Sequence, residues 1–292
     1  MNNAQYIKLT VIYIILIINS PIALNAQNSR GIKVNDVPTK KARSEAIVSG
    51  STRINEEAPV VFIIGDSTVK NGRGYGDNDQ WGWGSFFHTY LDTTRISVEN
   101  HALGGTSSRT FFTNGLWYNV LPGIKKGDFL LIQFGHNDGG PSNTGRARAS
   151  LKGIGEESEV VVLESNGKKE EVFTFGHYLR IYIEQAKAVG AIPIVLSPTP
   201  RNRWKDGKAD KLSESYNKWA KEAAEQENVA FVDLNSISSD KLTKMGEEKG
   251  KSYFADSVHT TYEGAIMNDE SIIEGVLRIT DFPLNKYIIS KK

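Results

Sequence analysis

The stretch Val60-Val61-Phe62-Ile63-Ile64-Gly65-Asp66-Ser67-Thr68 decides how the rest of the chain reads. Its apolar run is β-branched or aromatic throughout, shows no polar alternation and is too short for a helix. Such a run suits a strand buried on both faces of a parallel sheet. Four later runs share the pattern, at residues 96–100, 129–134, 192–196 and 229–232. Between them, apolar residues fall at helical spacing: Leu179, Tyr182, Ile183 and Ala186 share one face, as do Tyr216, Trp219, Ala220, Ala223 and Ala224. A closing helix is expected over 262–279, carrying Ile266, Ile272, Ile273, Val276 and Leu277, with Thr260 and Glu263 as a capping box at its start. The alternation predicts an α/β fold, a three-layer α/β/α sandwich around a five-stranded parallel sheet. One segment departs from it. Apolar runs at 160–163 and 172–175 flank Asn166-Gly167, a pair suited to a type I′ turn, so an inserted hairpin is expected at about 158–175.

The chain has 292 residues, 39% hydrophobic and 24% charged, which excludes fibrous and wholly disordered classes. Lys and Arg number 35 against 34 Asp and Glu, without the basic excess of a nucleic-acid-binding protein. There is no cysteine, and hence no structural disulfide, thiolate metal site or Cys nucleophile. Residues 1–26 carry one cation, Lys8, an apolar run from Leu9 to Ile18 and small residues ending at Ala26, the layout of a secretory signal peptide. The run is shorter than the roughly 20 apolar residues of a spanning helix, so export to a bacterial periplasm or the cell exterior is expected, with no stable membrane insertion after cleavage. Residues 27–58 are polar and aperiodic and read as a linker or arm. The folded domain is expected at 59–292.

In an open parallel sheet, ligands bind beyond the carboxyl ends of the strands. The segments there are polar and chemically distinct. Asp66-Ser67-Thr68 follows the first strand, where a serine projects from the top of the sheet; the bland reading is a helix cap. After the second strand, Leu103-Gly104-Gly105-Thr106-Ser107-Ser108-Arg109 offers unhindered backbone N–H groups to a developing anion. Gly135-His136-Asn137-Asp138 follows the third and supplies an amide side chain. Late in the chain, Asp256-Ser257-Val258-His259 sets a carboxylate three residues before an imidazole, so that the acid can reach Nδ1 and leave Nε2 free to take a serine proton; a surface ion pair is the plain alternative.

Taken in this order, the four segments resemble the SGNH (GDSL-like) hydrolase superfamily. Gly65-Asp66-Ser67-Thr68-Val69, Trp81-Gly82-Trp83-Gly84, Gly105-Thr106-Ser107-Ser108-Arg109-Thr110-Phe111 and Phe134-Gly135-His136-Asn137-Asp138 are similar to its rhamnogalacturonan acetylesterase family. The resemblance implies a flavodoxin-like sheet. It implies Ser67 as nucleophile, His259 as general base and Asp256 as its orienting acid, with the N–H groups of Ser67 and Gly105 and the Asn137 amide as oxyanion hole. It also implies an acetylated polysaccharide such as rhamnogalacturonan or acetylxylan as substrate and no metal or other cofactor. Trp81 and Trp83 are candidate sugar platforms, and Arg201, with Arg203 and Lys205, is a candidate for holding a uronate carboxylate.

Two other readings compete. Asp66, His136, Asn137, Asp138, Asp256 and His259 include the ligand types of a two-metal phosphoesterase, but the paired metal-binding motifs are missing. A non-catalytic carbohydrate-binding module would use Trp81, Trp83, Trp117 and Trp204 for stacking, yet has no need of the serine, amide and acid–imidazole set.

Overall fold

The computed structural model describes residues 53–289. The expected signal peptide and most of the expected arm lie outside the described residues. Nine strands are described: β1 (Val60–Gly65), β2 (Ser97–Asn100), β3 (Phe129–Gln133), β4 (Ser158–Val162), β5 (Lys169–Phe173), β6 (Ile192–Leu196), β7 (Trp204–Lys205), β8 (Lys208–Ala209) and β9 (Ala230–Val232). The helices are α1 (Ser108–Thr113), α2 (Leu116–Val120), α3 (Phe175–Ala188), α4 (Tyr216–Gln226), α5 (Leu234–Met245), α6 (Glu247–Lys251) and α7 (Tyr262–Leu277).

Five strands form one sheet in the order β2-β1-β3-β6-β9, every neighbouring pair parallel. These are the five strands expected from the apolar runs. The side chains of β1 show why the runs lack alternation. Val61 and Ile63 join one core cluster with Ile272, Ile273 and Val276 of α7, whereas Val60, Phe62 and Ile64 join another with Leu179, Tyr182 and Ile183 of α3. Both faces are covered, so both must be apolar. The chain leaves β1 first to one side and then to the other, and this reversal opens a crevice above the ends of β1 and β3.

Three details differ from expectation. The chain is already fixed at Arg53, whose guanidinium forks onto the buried Asp128 at 2.8 and 2.6 Å, ahead of the expected boundary at 59. The inserted hairpin forms from β4 and β5, but not with a type I′ turn. Leu163 faces Lys168 across a four-residue loop, and Gly167 has positive φ (70°) while Asn166 does not; a type I′ turn needs both. Finally, α7 is capped by Thr261, not Thr260. Thr260 is taken by Trp81: its carbonyl accepts the Trp81 N–H at 2.8 Å, and its hydroxyl donates to the Trp81 carbonyl at 2.8 Å.

Candidate active site

Ser67 stands on the turn that leaves β1. Gly65 makes that turn possible, because a Cβ there would meet Val69 Cγ2 at 2.4 Å and the Gln133 carbonyl at 2.6 Å. The buried Asp66 carboxylate then fastens the turn by accepting from the Thr68 N–H at 2.9 Å and the Thr68 hydroxyl at 2.7 Å. No helix follows here, so neither residue is the helix cap of the bland reading; Asp66 braces a turn, and the neighbouring serine hydroxyl faces the crevice.

His259 reaches that hydroxyl from the loop before α7, its Nε2 lying 2.8 Å from Ser67 Oγ. Its Nδ1 lies 2.7 Å from Asp256 Oδ2. Asp256 Oδ1 in turn accepts from the backbone N–H groups of Val258 and His259, each at 2.7 Å. Burial works against the charge on Asp256, but hydrogen bonds from the His259 ring and these N–H groups outweigh it and hold the carboxyl below its usual range. With Asp256 ionised, Nδ1 carries the proton and Nε2 is the acceptor.

Leu103-Gly104-Gly105-Thr106 forms a turn closed by Thr106 N–H to the Leu103 carbonyl at 3.3 Å. Gly105 takes φ 81° there, a conformation that side chains resist. The turn is moored to the nucleophile strand by Leu103 N–H to the Gly65 carbonyl at 3.0 Å, and to the third strand's end by Asn137 Nδ2 to the Thr106 carbonyl at 2.7 Å. Among the described residues, the backbone N–H groups of Ser67 and Gly105 donate to no protein acceptor. Asp138 faces inward instead, accepting from the Ser108 N–H at 3.1 Å and the Ser150 hydroxyl at 3.2 Å; burial, opposed by these bonds, pushes its carboxyl up to about 7.

The candidate sugar platforms fail. Trp81 is 2% exposed and Trp83 fully buried; the first packs among Phe86, Ala265 and Tyr262, and the second donates its indole N–H to Gln133 Oε1 at 2.7 Å. Neither face meets solvent. Trp117 is also buried and bonded to Gln185. Arg201, by contrast, lies beside the crevice and donates to the His136 carbonyl at 3.2 Å. His136 is paired with Thr199 Oγ1 at 3.0 Å, and burial, reinforced by the charges of Arg201 and His259 against that of Asp66, lowers it to about 4.

Sequence reasoning overlooked two features. Arg146 and Arg148 flank Ala147, whose φ of 44° is rare for a residue with a side chain. A Cβ on Gly105 would stand 3.5 Å from Arg146 Nη1 and 3.8 Å from Arg148 Nη1, and Arg148 itself donates to the Gly105 carbonyl at 3.1 Å. Burial, and then the like charge of Arg146, lower the Arg148 guanidinium. The second feature is a side-chain relay in which Asn71 Nδ2 donates to Gln80 Oε1 at 2.8 Å and Gln80 Nε2 donates to Asp256 Oδ2 at 2.9 Å. Neither pattern has a spacing that a sequence scan would flag.

No cluster of three or more His, Asp or Glu suited to a metal ion occurs among the described residues, which gives the two-metal reading no support. None of the described helices is long and apolar enough to cross a membrane.

A model of the GDSL-like lipase/acylhydrolase family matches residues 63–265. A protein of Bacillus subtilis named as a probable rhamnogalacturonan acetylesterase is 31% identical over 239 residues, 80% of this chain and 98% of its own. The rhamnogalacturonan acetylesterase of Emericella nidulans is 27% identical over 240 residues, 80% and 91% of the two chains. Among solved structures, the Bacillus subtilis protein YxiM superposes with a TM-score of 0.62 at 26% identity, covering 77% of this chain and 58% of that one, so the chain spans little more than half of it. An acetylxylan esterase of Geobacillus stearothermophilus shares the fold, with a TM-score of 0.53 at 16% identity over 82% of this chain and all of its own. The matched span runs from within β1 to within α7 and takes in Ser67, Gly105, Asn137, Asp256 and His259; the chain belongs to the GDSL-like lipase/acylhydrolase family of carboxylic ester hydrolases.

Proposed function

We propose that the chain is an exported serine esterase that removes acetyl groups from an acidic plant polysaccharide of the rhamnogalacturonan type. The observation that carries the chemistry is the unbroken chain of contacts from Ser67 Oγ through both nitrogens of His259 to Asp256. Ser67 Oγ attacks the ester carbonyl carbon while His259 Nε2 takes the hydroxyl proton. The N–H groups of Ser67 and Gly105 and the Asn137 amide receive the oxyanion. On collapse, the C–O bond to the sugar breaks and the imidazolium returns its proton to the leaving alkoxide. Water then gives a proton to His259 Nε2 and attacks the acetyl carbon, the bond from that carbon to Ser67 Oγ breaks, the imidazolium returns its proton to Oγ, and acetate leaves. Every proton is carried by this chain's own groups, so the cycle calls for no cofactor.

The acidic character of the substrate is supported by charge. Arg146, Arg148 and Arg201 stand around the crevice with no carboxylate partner among the described residues, as is also true of Arg73, whereas Arg53, Arg95, Arg109, Arg180, Arg203 and Arg278 are all paired. Unpaired guanidiniums beside a polar cleft suit a carboxylate-bearing polymer. The relatives named as rhamnogalacturonan acetylesterases favour the same class. Acetate release from acetylated rhamnogalacturonan and acetylated xylan, at low and high salt, tests the reading. Preference for the acidic polymer that weakens with salt is expected; equal or better turnover of xylan, unaffected by salt, would move the enzyme to neutral substrates.

A further inference from the structure

The sheet positions Ser67 directly, but Asp256 and His259 stand on the loop between α6 and α7. That loop is braced on one side by the Asn202 N–H to the Ser257 carbonyl at 3.1 Å and on the other by the bridge between Thr260 and Trp81. Residue 80 therefore runs past the acid. The Asp256 side chain is 39% exposed, so water competes for its oxygens. Two backbone N–H groups hold Oδ1, while Oδ2, the oxygen facing His259, has Gln80 Nε2 as its second contact. The Gln80 amide cannot flip without losing both its bonds, because Oε1 accepts from Asn71. Asn71 and Gln80 are also the two ends of a loop in which Gly72, Gly74, Gly76, Asn78 and Asp79 all have positive φ, and their contact closes it.

We propose that Gln80, oriented by Asn71, is a positioning residue for the acid–base pair: it holds Asp256 Oδ2 in line with His259 Nδ1 and so keeps Nε2 aimed at Ser67. The inference rests on the triad reading above. A neutral amide suits the task. It offers a donor to the carboxylate without a charge, whereas a cation would draw the carboxylate's field away from the imidazolium and a second carboxylate would repel Asp256.

Steady-state kinetics on p-nitrophenyl acetate and NMR of the His259 Nδ1 proton, in wild type, Gln80→Ala, Gln80→Glu and Asn71→Ala, test the proposal. Gln80→Ala should lower kcat about tenfold or more with KM within about twofold, as misalignment of a reacting group does. Gln80→Glu, close in shape, should move the acid limb of kcat to higher pH, because added negative charge favours the imidazolium. Asn71→Ala should show a smaller loss of the same kind. The low-field Nδ1 signal should weaken in Gln80→Ala through faster exchange with water. If wild type hydrolyses no ester but this signal still depends on Gln80, the esterase reading fails and the positioning role stands. A lowered melting temperature with an unmoved acid limb and an intact Nδ1 signal would reduce Gln80 to a loop brace and overturn the proposal.

Discussion

His259 Nε2 lies 2.8 Å from Ser67 Oγ although 192 residues separate the two in sequence. One stands at the end of the first strand and the other just before the last long helix, so nearly the whole domain must close before the pair exists. Reactivity at Ser67 therefore reports on the folded site as a whole, and not on a locally activated serine.

A fluorophosphonate should add its mass at Ser67, and Ser67→Ala should abolish both labelling and esterase activity. His259→Ala should slow labelling by several orders of magnitude, since the hydroxyl then has no base. Both reactions should proceed in EDTA. Peptide mapping after labelling is the check; modification of another serine would displace Ser67 from the mechanism.

Asn137→Ala should lower kcat by about a hundredfold, the usual loss for one donor of an oxyanion hole, while KM stays within a few-fold. Its present bond to the Thr106 carbonyl places Nδ2 against the turn that carries Gly105, so the amide donates to the turn and has a second hydrogen for the oxyanion. A variant within twofold of wild type in kcat would leave Asn137 with the turn alone.

Arg146→Gln should weaken turnover of the acidic polymer more than turnover of p-nitrophenyl acetate, by about tenfold in kcat/KM, the scale of one charge-assisted hydrogen bond. The salt sensitivity of the polymer reaction should shrink in parallel. Equal losses on both substrates would assign Arg146 to the shape of the loop, where Ala147 already bears an unfavourable φ.

Stability should fall on the acid side partly through His136. Burial lowers its folded titration to about 4 from the ordinary 6.5, so between those values the unfolded chain takes up a proton that the folded chain refuses. The contribution is present above about pH 6.5 and is lost as pH falls toward 4. His136→Asn should therefore lose less melting temperature than wild type between pH 7 and pH 4. Parallel curves for the two proteins would mean that the imidazole charges inside the fold at little cost.

What was legible in the sequence follows from what neighbours in sequence can report. Val60 to Ile64 are apolar without a break because α3 and α7 cover opposite faces of one strand, and that is a local pattern. Ser67, Gly105 and Asn137 follow strand ends, where topology alone concentrates chemistry. Trp81 and Trp83 misled because aromaticity does not say which way a ring points; packing against Ala265 and Gln133, far along the chain, decides it. The cap of α7 slipped from Thr260 to Thr261 for a similar reason, since Trp81 claims Thr260 from 179 residues away. Gln80 and Arg148 act through single contacts to distant residues, Asp256 and Gly105, and leave no periodic trace.

Acyl-chain preference follows from the residues around the nucleophile. Asp66, Thr68, Thr106, Ser107 and Asp138 are all buried and polar, and the Gly104 backbone packs against Ser67, a Cβ there falling 3.5 Å from Ser67 Cβ, so the shell behind the nucleophile is polar and closely packed. None of the large exposed apolar residues belongs to the segments 66–72, 103–107, 135–139 or 256–259. A longer acyl chain gains about 0.8 kcal/mol per CH₂ only where an apolar wall removes it from water. In those segments the apolar side chains with any exposure are Leu103 and Val258, both half-buried, too little surface to take a long acyl chain out of water. Across p-nitrophenyl acetate, butyrate and octanoate, kcat/KM should fall at each step. A rise toward octanoate would require an apolar channel that opens on binding and would place the enzyme among lipases rather than acetylesterases.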